Sequence, residues 1–241
     1  MPTNAPAHSN HPIVSVPATP VPTAVPAQPA TLPTEANTNF VVHVCRNGPV
    51  DRKRIALTFD DGPHLQLTPK VLALLKEHQI KATFFVLGNQ VKKHPEVLKM
   101  ILKDGHEIGN HTYSHRLLSA MSRDLIEKEV KETQGLIHDA TGSSTHLFRP
   151  PYGVYRQSTR EILQQEGLHI VLWSVDPEDW RVRDSQKILN SVTNHVQNGS
   201  IIVCHDIYKT TVEALPEMLT WFKSAGYECV TISELCGLET K

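Results

Sequence analysis

The feature that most constrains the fold is a regular alternation of strand-like and helix-like segments that begins at residue 54. Short runs rich in apolar and β-branched residues predict strands, and stretches with helical periodicity separate them. Strands that alternate with helices form a parallel sheet with right-handed crossovers, and seven or eight such units close into a barrel. The pattern therefore predicts an α/β barrel with strands at residues 54–59, 82–87, 106–109, 145–148, 169–174, 200–204 and 228–232.

Capping and breaking residues mark the helix boundaries. Thr68 is expected to cap the first helix, with Pro69 at its first helical position. Ser122 is expected to cap the longest helix, which ends near Ala140. Pro216 lies inside the last helical stretch and predicts either a late start or a kink. The other helices are predicted at about 95–104, 158–166, 185–197 and 211–225.

Residues 1–39 differ from the rest of the chain in composition. They contain nine of the 17 prolines and one charged side chain, Glu35. Proline fixes φ and removes a hydrogen-bond donor, so this segment is predicted to be a disordered or polyproline-like tail. Its Pro/Ala/Thr pattern resembles the linkers of envelope proteins and favours a secreted or cell-envelope protein, although no signal peptide follows Met1; a tail with no role in export is the alternative. Residues 40–241 are predicted to form one catalytic domain.

The charge balance narrows the class of partner. The chain has 24 Lys and Arg against 25 Asp and Glu, a formal net charge of −1. A nucleic-acid binder is expected to carry a basic excess or a basic stripe, so this class is disfavoured. No run of 18 apolar residues is present, so no transmembrane segment is predicted. The oligomeric state is left open.

Polar side chains follow most of the predicted strands at the point where each strand ends. In parallel barrels the carboxyl ends of the strands form one rim, and the chemistry lies there. These rim residues are Asp60, Asp61, Asn110, His111, Arg149, Asp176, Asp179, His205 and Asp206. Scattered surface charges would not favour one end of every strand, so the pattern predicts a site at this rim.

Two of the rim residues, together with the nearby His115, suggest a metal site. His111 and His115 are four residues apart, a spacing that would place both imidazoles on one face of a helical turn. The spacing alone favours ordinary surface or capping histidines, because the chain has 14 histidines. Asp61 adds a carboxylate, and two histidines with one carboxylate form the ligand set of a catalytic metal site with open positions.

Two further pairs suggest acid–base chemistry. Asp60, beside a metal ligand, could take a proton from water, and the guanidinium of Arg149 would favour its ionised form. An isolated Asp-Asp-Gly segment is also a common turn signal. His205 ends a buried strand and could protonate a leaving amine, with Asp179 holding it in the charged form.

Five short segments, in order along the chain, resemble the motifs of the polysaccharide deacetylase, or NodB-homology, family of carbohydrate esterases (family 4). They are Thr58-Phe59-Asp60-Asp61-Gly62, His111-Thr112-Tyr113-Ser114-His115, Arg149-Pro150-Pro151-Tyr152, Asp176-Pro177-Glu178-Asp179-Trp180 and Val203-Cys204-His205. The resemblance covers about residues 54–235 and implies the family's distorted barrel. Five spaced motifs in the correct order are rarely met by chance.

The resemblance implies roles for the metal ligands and the base. Asp61, His111 and His115 correspond to the ligands of a divalent metal, which is usually zinc, with cobalt or nickel as alternatives. Asp60 corresponds to the general base, and Arg149 to the residue that holds its charge.

The resemblance also implies an acid and a substrate groove. His205 corresponds to the general acid, and Asp179 to its partner. The main-chain N–H of Tyr152 is expected to stabilise an oxyanion. Val203 departs from the family, which usually has leucine there. The smaller side chain is expected either to loosen the acetyl pocket or to alter the acyl preference slightly, without touching the chemistry. The residues expected to contact substrate are Pro150, Tyr152, Trp180 and Val203.

The implied reaction is metal-assisted removal of N-acetyl groups from the N-acetylglucosamine units of a glycan. The Pro-rich tail favours peptidoglycan, and chitin or chito-oligosaccharides come second. An esterase acting on O-acetyl xylan is a further alternative. A barrel that only binds glycans is the alternative from another class, but such proteins usually lack a ligand or the base, and none is missing here.

Residues outside the motifs have simpler interpretations. Trp173 and Trp221 are expected to pack in the core or between helices. Cys204 is expected to point away from the site, since it neighbours His205 in a strand. Cys45 and Cys236 flank the domain and could be bridged in an oxidising compartment, but the sequence does not favour this bridge over free thiols.

Overall fold

Parallel strands form the centre of the domain. The computed structural model describes residues 40–238, so the tail predicted for residues 1–39 lies outside the described residues. The strands of the described part are β1 Val44–Cys45, β2 Arg54–Asp60, β3 Thr83–Val86, β4 Glu107–Asn110, β5 Leu147–Phe148, β6 His169–Val171, β7 Ile201–His205 and β8 Glu228–Cys229. All the ladders between them are parallel, which confirms the predicted α/β class.

The sheet curls into a distorted barrel. Within the described residues the strand order is β1-β6-β5-β4-β3-β2-β7, and β8 pairs with β2. Beyond β6, Val175 forms an isolated parallel bridge with Ile202 of β7, at the opposite end of the sheet. A single bridge rather than a full ladder brings these two regions together, which is the distortion that the family resemblance implied.

Helices connect most of the strands. Those in the described residues are α1 Thr68–Glu77, α2 Gly88–Lys93, α3 Pro95–Lys103, α4 Arg123–Thr141, α5 Gln157–Gln165, α6 Asp179–Val182, α7 Ser185–His195, α8 Lys209–Ser224 and α9 Ile232–Cys236. None of these helices combines the length and the apolar character needed to cross a membrane.

Side chains of the strands alternate between the outer helices and the barrel interior. On β2, Ile55, Leu57 and Phe59 belong to a core cluster that contains residues of α1, α3, α7 and α8. Ala56 belongs instead to an inner cluster whose strand members are Cys45, Phe85, Leu147, Val171 and Ile201. Because successive strand residues point to opposite faces, Asp60 shares the inner face with Ala56 and lies at its carboxyl end.

The structure corrects several boundaries. Thr68 is not the N-cap of α1 but its first residue, and its hydroxyl donates a hydrogen bond to Asp206 and accepts one from the N–H of His64. Helix α8 begins at Lys209 and continues through Pro216, so the late start was wrong. Strand β1 and helix α2 were not predicted. A two-residue strand shows no period, and α2 follows β3 almost directly without a capping side chain.

A disulfide links the first strand to the last helix. Cys45 in β1 and Cys236 in α9 are bonded across a sequence separation of 191 residues. The sequence did not favour this pair, because the approach of two such distant residues depends on how the sheet closes. Cys204 is a buried free thiol, and Cys229 is a partly buried one.

Candidate active site

Three side chains converge as a cation site requires. The ligand atoms of Asp61, His111 and His115 all lie within 4.8 Å of one another. The Nε2 atoms of His111 and His115 lie 3.7 and 3.6 Å from Oδ1 of Asp61, and this buried oxygen accepts no hydrogen bond from the described residues. One carboxylate and two imidazoles suit a divalent transition metal, so the arrangement fits the predicted ligand set.

His111 is prepared for this role by its surroundings. Its Nδ1 lies 2.7 Å from the main-chain oxygen of Arg149, which can only accept a hydrogen bond. Nδ1 therefore carries the proton, and the lone pair of Nε2 faces Asp61. Burial lowers the pKa of His111, which favours the neutral imidazole that a metal needs.

The loop that carries the two histidines is not the predicted helical turn. Residues 111–117 contain no helix. Thr112 and His115 have φ of 71° and 57°, in the left-handed region that costs a non-glycine residue free energy. Thr112 donates its N–H to Oδ1 of Asn110, and its hydroxyl accepts from the N–H of His115. The imidazole rings meet, with centroids 5.0 Å apart, because of this local geometry and not because of helical spacing.

Asp60 forms a buried ion pair beside the metal ligands. Nη1 of Arg149 lies 2.6 Å from Oδ1 of Asp60 and 2.8 Å from the hydroxyl of Thr58. Arg149 is fully buried, and its guanidinium lies 4.0 Å from the centre of the Phe85 ring. The second oxygen, Oδ2 of Asp60, lies 3.7 Å from Nε2 of His111 and so faces the site.

His205 ends β7 at the position paired with Asp60, the last residue of β2. Its Nδ1 is 2.6 Å from Oδ1 of Asp179, and Oδ2 of Asp179 accepts hydrogen bonds from the N–H of His205 and the hydroxyl of Thr211. Burial favours the neutral ring, but the hydrogen bond and charge of Asp179, with the charges of Asp60 and Asp61, outweigh burial and raise the pKa of His205 to about 9. Nε2 faces the site, 4.0 Å from Oδ2 of Asp61.

These groups share one cavity of about 470 Å³. Its lining residues are Asp60, Asp61, His111, His115, Tyr152, Trp173, Asp176, Trp180, Val203, His205 and Tyr208. A volume of this size suits a small-molecule or sugar site with a few converging polar groups.

The predicted substrate residues have different positions. Tyr152 and Trp180 line the cavity and are 60% and 47% exposed, whereas Val203 lies in its wall and is only 2% exposed. Tyr152 has a φ of 60°, and no hydrogen bond joins its N–H to another described residue. Pro150 is buried and does not line the cavity, so it supports the turn that carries Tyr152.

Two aromatic residues of the cavity were missed by the sequence analysis. Trp173 packs against the inner cluster, as expected of a core residue, but it also lines the cavity. Tyr208 lies in the loop after β7, with its ring 5.7 Å from that of His205. The guanidinium of Arg183 lies 3.5 Å from the centre of the Tyr208 ring. The rule that site residues follow strand ends could have identified Tyr208, but only acidic, basic and amide residues were considered there.

Comparison with known proteins identifies relatives of this chain in sequence and in fold. The sequence profile of the polysaccharide deacetylase family matches residues 47–171. The chain is 39% identical over 228 residues to the peptidoglycan-N-acetylglucosamine deacetylase PgdA of Listeria monocytogenes. This alignment covers 93% of this chain and 48% of PgdA. It is 42% identical over 185 residues to the peptidoglycan-N-acetylmuramic acid deacetylase PdaC of Bacillus subtilis, covering 77% of this chain and 39% of PdaC. The chain thus spans about half the length, or less, of these curated relatives.

A solved structure resembles most of this chain. The Bc1960 peptidoglycan N-acetylglucosamine deacetylase, crystallised with an N-hydroxybenzamide ligand, has a TM-score of 0.78 and 35% sequence identity to this chain. The match covers 80% of this chain and 92% of that one. It extends the likeness beyond the profile match, which ends before Asp179 and His205. The chain belongs to the polysaccharide deacetylase family.

Proposed function

We propose that this protein is a metal-dependent deacetylase that hydrolyses the N-acetyl groups of N-acetylglucosamine units in peptidoglycan and releases acetate. One observation carries the proposal. A buried carboxylate paired with Arg149 and a cationic imidazole paired with Asp179 end the neighbouring strands β2 and β7, and both line one cavity with three side chains that suit a divalent cation. A base, an acid and a metal site in one cavity are the groups that amide hydrolysis needs.

The cation would be held by Asp61, His111 and His115, and zinc suits this ligand set best, with cobalt or nickel as substitutes. When bound, it would supply polarisation of the acetamide carbonyl and a more acidic water molecule.

Asp60 acts as the general base in this proposal. Its Oδ2 faces the site and takes a proton from the water whose oxygen attacks the carbonyl carbon. Its Oδ1 is held by Arg149, which fixes the carboxylate and favours its ionised form. Because Arg149 is fully buried and itself stacked on Phe85, the pair keeps one orientation.

His205 acts as the general acid. The C–N bond breaks as Nε2 gives its proton to the departing glucosamine nitrogen, and acetate is left behind. Asp179 accepts from Nδ1, so Nε2 is the nitrogen that presents its proton to the cavity. In the metal-free site, the pKa of about 9 keeps this imidazole protonated at neutral pH.

The remaining cavity residues bind and orient the acetamide. The N–H of Tyr152 is free to donate to the oxyanion that develops on the carbonyl oxygen. Trp180 and Val203 offer apolar surface to the acetyl methyl group.

The substrate and location are inferred from several independent features. Both curated relatives described above are named for deacetylation of peptidoglycan, one at N-acetylglucosamine and one at N-acetylmuramic acid. A wall polymer is reached outside the cytoplasmic membrane, and the Cys45–Cys236 disulfide suits an oxidising compartment. The Pro-rich composition of residues 1–39 suits a linker at a cell envelope.

The test is a product assay. Purified protein with added zinc or cobalt is incubated with peptidoglycan fragments and, separately, with chitopentaose, and mass spectrometry locates each lost acetyl group. The matched control is His115→Ala, which removes one ligand from the edge of the cavity. We expect acetyl loss at glucosamine positions of peptidoglycan with the unaltered protein and none with the control.

Other outcomes separate the alternatives. Loss of acetyl groups from chitopentaose alone would indicate that the substrate is chitin and not peptidoglycan. Loss of acetyl groups from the muramic acid residues would indicate that the enzyme acts on that sugar and not on N-acetylglucosamine. Binding of sugar without acetate release under any metal would favour a glycan-binding barrel and contradict the proposal.

A further inference from the structure

We propose that Glu129 is a positioning residue for the metal site, whose carboxylate holds the loop between His111 and His115 in the strained form that brings both imidazoles onto Asp61. The inference rests on the proposed function, since it assumes that these three side chains bind a metal. Glu129 touches neither the cavity nor a ligand side chain, and it belongs to none of the five motifs.

The carboxylate of Glu129 receives three hydrogen bonds from two consecutive residues of the loop. Oε2 accepts from the N–H of Tyr113 at 2.9 Å and from the N–H of Ser114 at 2.8 Å. Oε1 accepts from the hydroxyl of Ser114 at 2.5 Å. These two residues lie between the ligands in sequence, so the carboxylate fixes the middle of the segment that sets the distance between His111 and His115.

The loop needs such a restraint because its backbone is strained. Thr112 and His115, on either side of the bonded residues, both have positive φ. A non-glycine residue in such a conformation costs on the order of 1–3 kcal/mol, and it persists only where the surroundings determine it. Without an acceptor at Glu129, the N–H groups of Tyr113 and Ser114 would favour another backbone conformation, and the imidazoles would separate.

Helix α4 provides a fixed base for this contact. One residue after Glu129, the main-chain oxygen of Val130 accepts from Nδ2 of Asn110, which also donates to Oε1 of Gln134. Oδ1 of the same Asn110 accepts from the N–H of Thr112. The helix therefore holds the loop at its start, through Asn110, and at its centre, through Glu129.

The electrostatics of Glu129 also point to a role beyond packing. Its side chain is buried, with 8% of the residue exposed, and no lysine or arginine of the described residues forms an ion pair with it. A buried carboxylate without a cationic partner is costly unless hydrogen bonds compensate it. All three of its compensating bonds come from the ligand loop, so the stability of the carboxylate and the shape of the loop depend on each other.

The experiment measures metal affinity without substrate. Zn²⁺ alone is titrated into metal-free protein below the unfolding temperature of every variant, which is recorded first. Glu129→Ala should raise the Kd for Zn²⁺ by about 10- to 100-fold, the range seen when groups that orient metal ligands are removed. Glu129→Asp keeps the charge but shortens the side chain, so it should raise the Kd in the same direction and serves if the alanine variant does not fold.

Two further variants separate positioning from general stability. Glu129→Gln keeps an acceptor oxygen for the two N–H groups and should restore most of the affinity. Glu132→Ala changes a residue of the same helix whose side chain forms no hydrogen bond or ion pair with the described residues, so it should leave the Kd unchanged. The visible absorption of bound Co²⁺ should change in Glu129→Ala, because the angle between the imidazoles changes.

A Kd within twofold of the unaltered protein in folded Glu129→Ala, or in folded Glu129→Asp if the alanine variant is unfolded, would overturn the inference. An equal loss in Glu132→Ala would also overturn it. Tight Zn²⁺ binding by the unaltered protein without acetate release would refute the proposed function instead, and would leave the positioning result intact.

Discussion

Asp60 and Asp61 are adjacent in sequence but have different partners. Strand alternation would send their side chains to opposite faces of the sheet. Strand β2 ends at Asp60, and Asp61 has a φ of 73°, so the chain turns and both carboxylates reach the same cavity. One oxygen of Asp60 is committed to Arg149, whereas Oδ1 of Asp61 has no hydrogen-bond partner among the described residues. This difference is the physical basis for proposing Asp60 as the base and Asp61 as a metal ligand.

Asp60→Asn tests that separation. The amide can still accept from Arg149 but cannot take a proton, so we expect acetate release to fall by about 10²- to 10⁴-fold. The zinc content per chain should not change, because Asp61 and the histidines are untouched. Acetate release and metal content are measured on the same preparation, with the exposed Asp124→Asn as control. An active Asp60→Asn variant would reject the assignment of the base.

The pH dependence of the activity tests the proposal that His205 is the general acid. A general acid must be protonated, so activity should be lost as pH rises through its pKa, which is about 9 in the metal-free site. A bound cation would repel the imidazolium, so we expect this limb of the kcat/KM profile at or below pH 9. Asp179→Asn removes the charge that raises the pKa of His205 and should move the limb to lower pH. A limb that stays in place would show that another group controls it.

Sequence reasoning named residues that the structure brings into one cavity, but it did not find all of their geometry. Strand ends and the five motifs together pointed to the proposed acid, base and ligands, His205, Asp60, Asp61, His111 and His115. Sequence reasoning wrongly placed His111 and His115 on a helical turn, since the positive φ at Thr112 and His115 leaves no signal in a non-glycine sequence. It also missed Glu129, whose role depends on a contact between α4 and a loop 15 residues away.

At the scale of elements, Gly109 in β4 leaves room for the Phe85 ring, which packs against Arg149 of the Arg149–Asp60 ion pair. A Cβ on Gly109 would lie 2.3 Å from the ring of Phe85 in β3. That ring stacks under the guanidinium of Arg149, which binds Asp60. The two strands can therefore hold Arg149 in place only if residue 109 has no side chain.

Gly109→Ala should displace Phe85 and destabilise the protein by about 1–3 kcal/mol, the usual cost of overpacking a core. The free energy of unfolding in urea measures this, and acetate release should fall with it, because Arg149 loses its support. Gly135→Ala is the matched control. Gly135 lies in α4 with nothing within 4 Å of an added Cβ, so the change should stabilise the helix by about 0.5–1 kcal/mol. Equal effects in both variants would contradict the role given to Gly109.

The existence and order of most elements were predictable, but the short elements β1 and α2 and the ends of the other elements were not. Strand β5 was predicted at 145–148, and only Leu147–Phe148 pair with neighbours. Thr145 instead donates its hydroxyl to the main-chain oxygen of Ile108, a long-range contact that propensity does not report. Tertiary contacts of this kind override local patterns at strand ends.

At the scale of the whole molecule, the disulfide joins the two ends of the described domain. The closed loop between Cys45 and Cys236 spans 191 residues, so the bond restricts the unfolded chain strongly. Replacing both cysteines by serine should lower the free energy of unfolding by about 2–4 kcal/mol. Urea unfolding with and without a reductant measures this, and the free Cys229→Ser is the control. If the reductant does not weaken the unaltered protein, the bridge does not stabilise the fold.

The alternation of strands and helices predicted the parallel barrel, because local periodicity determines which connections are possible. It could not predict how the barrel closes. The single bridge between Val175 and Ile202 and the disulfide both join segments that are remote in sequence. Such contacts follow from packing of the complete chain.

The most direct test of the central claim is a metal titration of chelator-treated protein, with acetate release from an N-acetylglucosamine oligomer as the readout. If Asp61, His111 and His115 hold a single catalytic ion, acetate release should be absent without metal and should rise with added Zn²⁺ to a plateau at one ion per chain. Acetate release that persists after the metal is removed, or a plateau that survives in His115→Ala, would contradict the account.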